Sequence, residues 1–171
     1  MKGYVQIYTG DGKGKTTAAL GLALRAAGAG FKIHIGQFIK SGEYSEIKAL
    51  ARFSELITVE QYGKGRFIKG KPSEDDVNMA RAGLQQLRRA VSSGEYQVVI
   101  ADEGNVAVTC ELISQTDLID LIDNRHPDTE LIITGRGAAP EVLTRADLVT
   151  EMRPIKHYYD RGVAARLGIE K

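Results

Sequence analysis

The sequence predicts an α/β fold in which a mainly parallel sheet is covered by helices on both faces. Strand-like runs alternate with helix-like segments along the chain, which is typical of parallel strands joined by helices. The runs 98–101 (VVIA) and 131–133 (LII) are continuously apolar, as expected for strands buried on both faces. With 171 residues and no internal repeat or linker, the chain is predicted to form a single domain over 1–171.

The first half of the chain begins with a strand over 5–8, where apolar and polar side chains alternate. A glycine-rich segment then leads into a helix over 15–27, which the glycines at 28 and 30 bring to an end. The next predicted elements are a strand over 31–38, a helix over 46–53 and a strand over 56–59.

The second half opens with a basic, glycine-rich loop over 62–72. Ser73 is a suitable N-cap for the helix that follows, because acidic residues at 74–76 suit the positive end of the helix dipole. Apolar residues at helical spacing continue this helix to Gly94. The remaining predicted elements are strands over 98–101 and 131–133, a helix over 114–124 and a short strand at 148–149.

The composition excludes several classes of protein. Lys and Arg number 23 against 22 Asp and Glu, so the net charge of +1 gives no electrostatic attraction to nucleic acid or to an anionic membrane. No apolar run reaches the ~18 residues that a membrane-spanning helix needs. One cysteine cannot form an internal disulfide, which fits a reducing compartment. We therefore predict a cytoplasmic protein that binds neither nucleic acid nor membrane.

The strongest functional signal is the segment 9–17 (TGDGKGKTT), which lies between a predicted strand and a predicted helix. Its glycines allow backbone N–H groups to surround a phosphate at the helix N-terminus. In the P-loop motif, the residue at Lys15 reaches the phosphates and the hydroxyl at Thr16 ligates Mg²⁺. The strict motif has glycine where this chain has Thr9. The predicted phosphate-binding residues are Gly10, Asp11, Gly12, Lys13, Gly14, Lys15, Thr16 and Thr17.

Charged residues follow two of the predicted buried strands. Asp102 and Glu103 come directly after the run 98–101, and Arg136 follows 131–133. Ligands of doubly wound sheets bind at the carboxyl edge, where the phosphate loop also leaves its strand. Either acid is therefore placed to meet a Mg²⁺ ion held by Thr16, and Arg136 to hold a phosphate oxygen.

These residues together resemble the P-loop family of ATP:corrinoid adenosyltransferases. The similarity extends from Lys2 to Glu170, and a threonine at the position of Thr9 is itself this family's form of the loop. The segments that carry it are 3–30 (GYVQIYTGDGKGKTTAALGLALRAAGAG), 35–43 (IGQFIKSGE), 98–105 (VVIADEGN), 131–137 (LIITGRG) and 146–170 (ADLVTEMRPIKHYYDRGVAARLGIE).

The resemblance implies a RecA-like P-loop NTPase fold, a homodimer, and transfer of the 5′-deoxyadenosyl group of ATP to Co(I) of a corrinoid with release of triphosphate. Because Co(I) is itself a strong nucleophile, the protein needs to supply positioning and charge stabilisation rather than a nucleophile or base. The implied catalytic residues are Lys15, Thr16 and Glu103, with Mg²⁺ held by Thr16 and by Asp102 or Glu103. Arg136 is implied to contact the nucleotide.

The resemblance also implies an apolar loop that removes the lower axial ligand of Co(II), which makes Co(I) easier to form. Phe67 is the candidate for this role, with Gln37 and Phe38 as neighbours. Some members pair phenylalanine with tryptophan in this loop, whereas this chain contains no tryptophan. A reduced flavoprotein is the implied electron donor, and adenosylcobalamin biosynthesis or salvage the implied setting.

Two other functions remain open on sequence grounds. A RecA-like nucleoside kinase would need a base to deprotonate a substrate hydroxyl, and Glu103 could serve. A non-catalytic carrier or switch would bind ATP and corrinoid with little or no turnover. The product separates the two enzymes, because the transferase releases triphosphate whereas the kinase releases ADP.

Overall fold

The computed structural model describes residues 2–66, 68 and 70–170, and within them six parallel strands form one sheet. The strands are Val5–Thr9 (β1), Ile33–Phe38 (β2), Ile57–Tyr62 (β3), Val98–Asp102 (β4), Glu130–Thr134 (β5) and Leu148–Glu151 (β6). Their order in the sheet is β3-β2-β4-β5-β1-β6. The prediction of an α/β fold with a parallel sheet is confirmed, in agreement with a RecA-like P-loop fold.

Helices cover both faces of this sheet. They are Lys15–Gly28 (α1), Ser45–Leu50 (α2), Glu74–Ser92 (α3), Gly104–Thr109 (α4), Gln115–Asp123 (α5) and Pro140–Thr144 (α6), with short 3-10 turns at Ala51–Phe53 and Tyr158–Arg161. Alternation along β4 divides the core, because Val98 and Ile100 pack with α1 while Val99 and Ala101 pack with α3 and α5. This two-sided burial explains the continuous apolar run in the sequence. Among the described residues, no helix has the length and apolar character needed to cross a membrane.

Some element boundaries and two short helices differ from the prediction. The strand expected to begin at residue 31 begins at Ile33, because the Phe31 amide donates to the Ala26 carbonyl and helps to close α1. The sequence did not predict α4 or α6. The segment that forms α4 (GNVAVT) has weak intrinsic helix propensity, and it is held by packing of the fully buried Ala107.

The start of α3 forms as predicted. The Ser73 side chain accepts a hydrogen bond from the Asp76 amide, and the Asp76 carboxylate accepts one from the Ser73 amide. This reciprocal pair satisfies amide groups that the first turn of a helix leaves without partners. The Ser73 hydroxyl and Arg66 also donate to Asp76 and, with the capping bonds, lower its pKa to about 2.

Helix α3 approaches β3 closely at Gly83, and this contact gives a prediction about stability. A Cβ atom at Gly83 would lie 2.0 Å from Cγ of Tyr62, whose side chain is buried. We expect Gly83→Ala to lower the free energy of unfolding by about 1–3 kcal/mol, as overpacking does in other cores. Denaturant unfolding measures the effect.

Gly21→Ala provides the matched control, because Gly21 is also helical and a Cβ there would meet nothing within 4 Å. Alanine has the higher helix propensity, so this substitution should stabilise the protein by about 1 kcal/mol. Equal unfolding midpoints for Gly83→Ala and the wild type would contradict the close packing of Gly83 against Tyr62.

Candidate active site

The carboxyl ends of four strands bring the predicted site residues to one edge of the sheet. The loop after β1 contains residues 10–14, the end of β2 contributes Gln37, and the turn after β2 contributes Lys40. Asp102 ends β4, and Thr134 ends β5. This edge is where ligands of parallel α/β sheets bind. The loop, Asp102 and the residues around them therefore form one site.

The loop after β1 is shaped by glycine and by the chain that follows β6. Gly14 caps α1 with φ +119°, a left-handed conformation that favours glycine. Cβ atoms at Gly10 and Gly12 would lie 2.5 and 2.7 Å from the Met152 carbonyl oxygen. The Gly12 amide donates to that oxygen at 2.7 Å, and the Met152 amide donates to the Thr9 carbonyl at 2.9 Å. The Gly12 amide is therefore used within the protein in this structure.

Lys15, the first residue of α1, lies inside the loop. Its side chain is largely buried, and its Nζ donates to the carbonyl oxygens of Gly10 at 2.6 Å and Gly12 at 2.7 Å. Burial and the positive charge of Arg136 lower its pKa, while acidic neighbours oppose that fall. The ammonium thus sits at the centre of the ring of loop residues, where a bound anion would be attracted to it.

Asp102 is the centre of a hydrogen-bonded network and is fully buried. Its Oδ1 accepts from the hydroxyls of Thr16 and Thr134, each at 2.8 Å. Its Oδ2 accepts from Gln37 Nε2 at 2.9 Å and from Lys40 Nζ at 2.8 Å. These four donors replace the water that the buried carboxylate has lost, and the bond from the Lys40 ammonium is charge-assisted.

Glu103 follows Asp102 in a left-handed conformation, with φ +58°. Its amide donates to the Thr134 hydroxyl at 3.0 Å, which fixes the turn between β4 and α4. Burial and the neighbouring charge of Asp102 raise the pKa of Glu103. Three cations lie close enough to the Glu103 carboxylate to oppose this rise in its pKa: Lys40, Lys15 and Arg136.

The donor set at this edge fits a magnesium ion. Thr16 Oγ1 and Asp102 Oδ1 lie 2.8 Å apart, and both are the hard oxygen ligands that Mg²⁺ prefers. No group of three His, Cys, Asp or Glu side chains gathers around a metal position in residues 2–66, 68 and 70–170. Sites with few protein ligands are usual for Mg²⁺, because water and the phosphates of a substrate complete the coordination shell of the ion.

Comparison with known proteins shows which family the chain belongs to. A sequence model of the family described as ATP:corrinoid adenosyltransferase BtuR/CobO/CobP matches residues 1–170. The chain belongs to this family. The proteins named corrinoid adenosyltransferase in Escherichia coli K12 and Pseudomonas aeruginosa are 32% and 30% identical to it. Each alignment covers 99% of this chain, with 86% of the first relative and 84% of the second.

The other predicted phosphate-binding residues of this adenosyltransferase-family chain lie on the rim of the loop. Arg136 Nε is 3.9 Å from Asp11 Oδ1, and both side chains are exposed. Lys13 Nζ donates to the Ile169 carbonyl at 2.9 Å, which ties the loop to the C-terminal segment. Thr17 is exposed on the first turn of α1.

The residues predicted to neighbour the corrinoid have different surroundings. Phe38 is fully buried and packs edge-on against Tyr62 at 5.5 Å between ring centroids, so its side chain belongs to the core. Alternation along β2 places Gln37 on the opposite side, where it holds Asp102 and accepts from Gln61 Nε2 at 3.1 Å. The side chain of Phe38, named as a neighbour of Phe67 at the corrinoid, has no exposed surface in this structure. Phe67 lies outside the described residues.

Sequence reasoning missed three residues of this site: Lys40, Thr134 and Met152. Thr134 could have been found, because it is a polar residue at the end of a buried strand, as Asp102 is. Lys40 follows β2 in the same way, in the segment IKSGE. Met152 acts through its backbone, which leaves no signal in the residue type.

Proposed function

We propose that the chain transfers the 5′-deoxyadenosyl group of ATP to Co(I) of a corrinoid and releases triphosphate, in adenosylcobalamin biosynthesis or salvage. The observation that carries the proposal is the family match over residues 1–170, which includes both the phosphate loop and the C-terminal segment. The site geometry supports it, because Lys15, Thr16 and Asp102 meet at one edge of the sheet.

In this reaction the electron pair of Co(I) forms a bond to C5′ of ATP. The C5′–O bond breaks, and its electron pair leaves with the triphosphate, so no proton has to be moved. The protein must hold C5′ in line with cobalt and stabilise the charge of the leaving group. Lys15 supplies charge at the centre of the loop, and Arg136 supplies charge at its rim.

Thr16 and Asp102, with Glu103 beside them, would hold Mg²⁺, which when bound adds positive charge against the triphosphate. Phe67 remains our candidate for removing the lower ligand of the corrinoid. We further propose a homodimer and a reduced flavoprotein as electron donor, as the resemblance implies. We also propose that residues 1–171 act as one domain in the cytoplasm, where the single cysteine stays reduced.

A nucleoside kinase is the second candidate, and Glu103 is the observation that favours it. Its raised pKa and partial burial beside cations suit a general base. The kinase reading requires this carboxylate to accept a proton from a substrate hydroxyl, whereas the transferase reading requires no proton transfer.

The product of the reaction tests these functions directly. Under anaerobic conditions with Mg-ATP and a chemically reduced Co(I) corrinoid, we expect loss of Co(I) absorbance, a light-sensitive adenosyl-cobalt product and inorganic triphosphate. ADP formed with a nucleoside acceptor would instead establish a kinase. Bound ATP and corrinoid without turnover would indicate a carrier or switch and would contradict the transferase.

A further inference from the structure

Lys40 lies where the proposed divalent cation would bind, although sequence reasoning gave this lysine no role. Its Nζ is 2.8 Å from Asp102 Oδ2 and 3.3 Å from Thr16 Oγ1. The Lys40 side chain is 19% exposed, and Asp102 has no exposure. The ammonium thus contacts the same carboxylate and the same hydroxyl that we assign to Mg²⁺.

The backbone that delivers Lys40 is held in an uncommon conformation. Ile39 has φ +67°, a left-handed conformation that is rare for a β-branched residue and strains the backbone. The surroundings fix it, because the Gly65 amide donates to the Ile39 carbonyl at 3.1 Å and a Cβ at Gly63 would lie 2.3 Å from the Ile39 carbonyl carbon. Such strain persists only where neighbouring structure determines it, so the position of Lys40 is built into the fold.

The charges around Lys40 explain why it can stay there. Burial alone would lower the pKa of Lys40, but Asp102 raises it above its ordinary value through its charge and its hydrogen bond. Glu103 and Glu46 add to that effect. Asp102 in turn gains a full positive charge at 2.8 Å, which compensates a carboxylate with no contact to solvent.

We propose that Lys40 is the tethered cation of this site. Its ammonium occupies the position between Thr16 and Asp102 in the nucleotide-free protein, and it moves onto the triphosphate when Mg-ATP binds. The proposal deepens the proposed function and rests on its assignment of the divalent cation to Thr16 and Asp102. One consequence is an order of binding, because a divalent ion without nucleotide must displace a buried ion pair, whereas the nucleotide offers Lys40 a new partner.

Mn²⁺ binding to the nucleotide-free protein tests this proposal without any measurement of activity. Electron paramagnetic resonance counts free Mn²⁺ in titrations of the wild type and of Lys40→Met. Removing a positive charge next to the metal position should strengthen Mn²⁺ binding by about tenfold or more. Lys64→Met is the matched control, because Lys64 makes a 2.9 Å pair with the exposed Asp75. It should leave Mn²⁺ affinity unchanged.

The increase in Mn²⁺ affinity caused by Lys40→Met must also disappear when Asp102→Asn is added. This loss would assign the bound Mn²⁺ to the site at Asp102. Equal Mn²⁺ affinity in the wild type and in Lys40→Met would overturn the proposal. If neither the wild type nor Lys40→Met takes up Mn²⁺, the magnesium assignment itself fails, and this outcome differs from equal measurable affinities, which count against Lys40 alone. Should Lys40→Met not fold, Lys40→Gln gives the same comparison, because its amide can still donate to Asp102 without carrying charge.

Discussion

Lys15→Ala should abolish adenosyl transfer while leaving the protein folded. The substitution removes the ammonium that donates to the carbonyls of Gly10 and Gly12 at the centre of the phosphate loop. Triphosphate leaves with more charge than it carried as part of ATP, so a fixed cation there stabilises the transition state more than the ground state. We expect the rate of adenosyl transfer to fall by at least ~10²–10³-fold, which is the range found when one preorganised hydrogen-bond donor is removed from an active site.

The assay follows adenosyl-cobalt formation from Co(I), with circular dichroism and thermal unfolding as measures of folding. Lys13→Ala is the matched control, because Lys13 belongs to the same loop but its ammonium contacts Ile169 and Glu170 and is partly exposed. It should lose far less activity than Lys15→Ala. A folded Lys15→Ala protein with normal activity would refute the assignment of the phosphate loop.

Asp102→Asn should weaken both the fold and the metal site. Asparagine keeps the shape of the side chain but removes the charge that holds Lys40. Breaking a buried ion pair by removing one partner costs about 3–5 kcal/mol. Because Lys40 is partly exposed and can turn towards water, we expect a loss nearer about 2–3 kcal/mol in the free energy of unfolding. Adenosyl transfer with Mg-ATP should fall together with Mn²⁺ affinity.

A double-mutant cycle separates the ion pair from the rest of the network. Lys40→Met combined with Asp102→Asn should destabilise less than the sum of the single substitutions, because the pair is lost only once. Urea unfolding of the four proteins gives the coupling free energy. Additive losses would show that Asp102 stabilises the fold through Thr16, Thr134 and Gln37 without a net contribution from Lys40.

The sequence allowed much of this site to be predicted because its chemistry is local. A phosphate loop is a run of consecutive residues, and its position between a strand and a helix is visible in the pattern from Val5 to Ala27. Asp102 could be found for a similar reason, since a charged residue directly after a doubly buried strand must emerge at the carboxyl edge of the sheet.

The remainder depends on contacts between distant residues. The strained turn at Ile39 is held by Gly63 and Gly65, so the position of Lys40 cannot be read from its neighbours in sequence. Phe38 was named as a neighbour of Phe67 because of the resemblance to the family. The packing of its ring against Tyr62, which depends on the position of β3 and α3, places it in the core.

The strand order has a consequence for how the protein is made. Strand β1 precedes the other five strands in the chain, yet its partners in the sheet are β5 and β6, and its loop is braced by Met152. Loop-closure entropy must be overcome before such distant contacts contribute stability. During translation, β1 therefore remains without its sheet partners until β5 and β6 have been synthesised. ATP cannot assist folding before that point, because the loop that would bind it is braced by Met152, which follows β6.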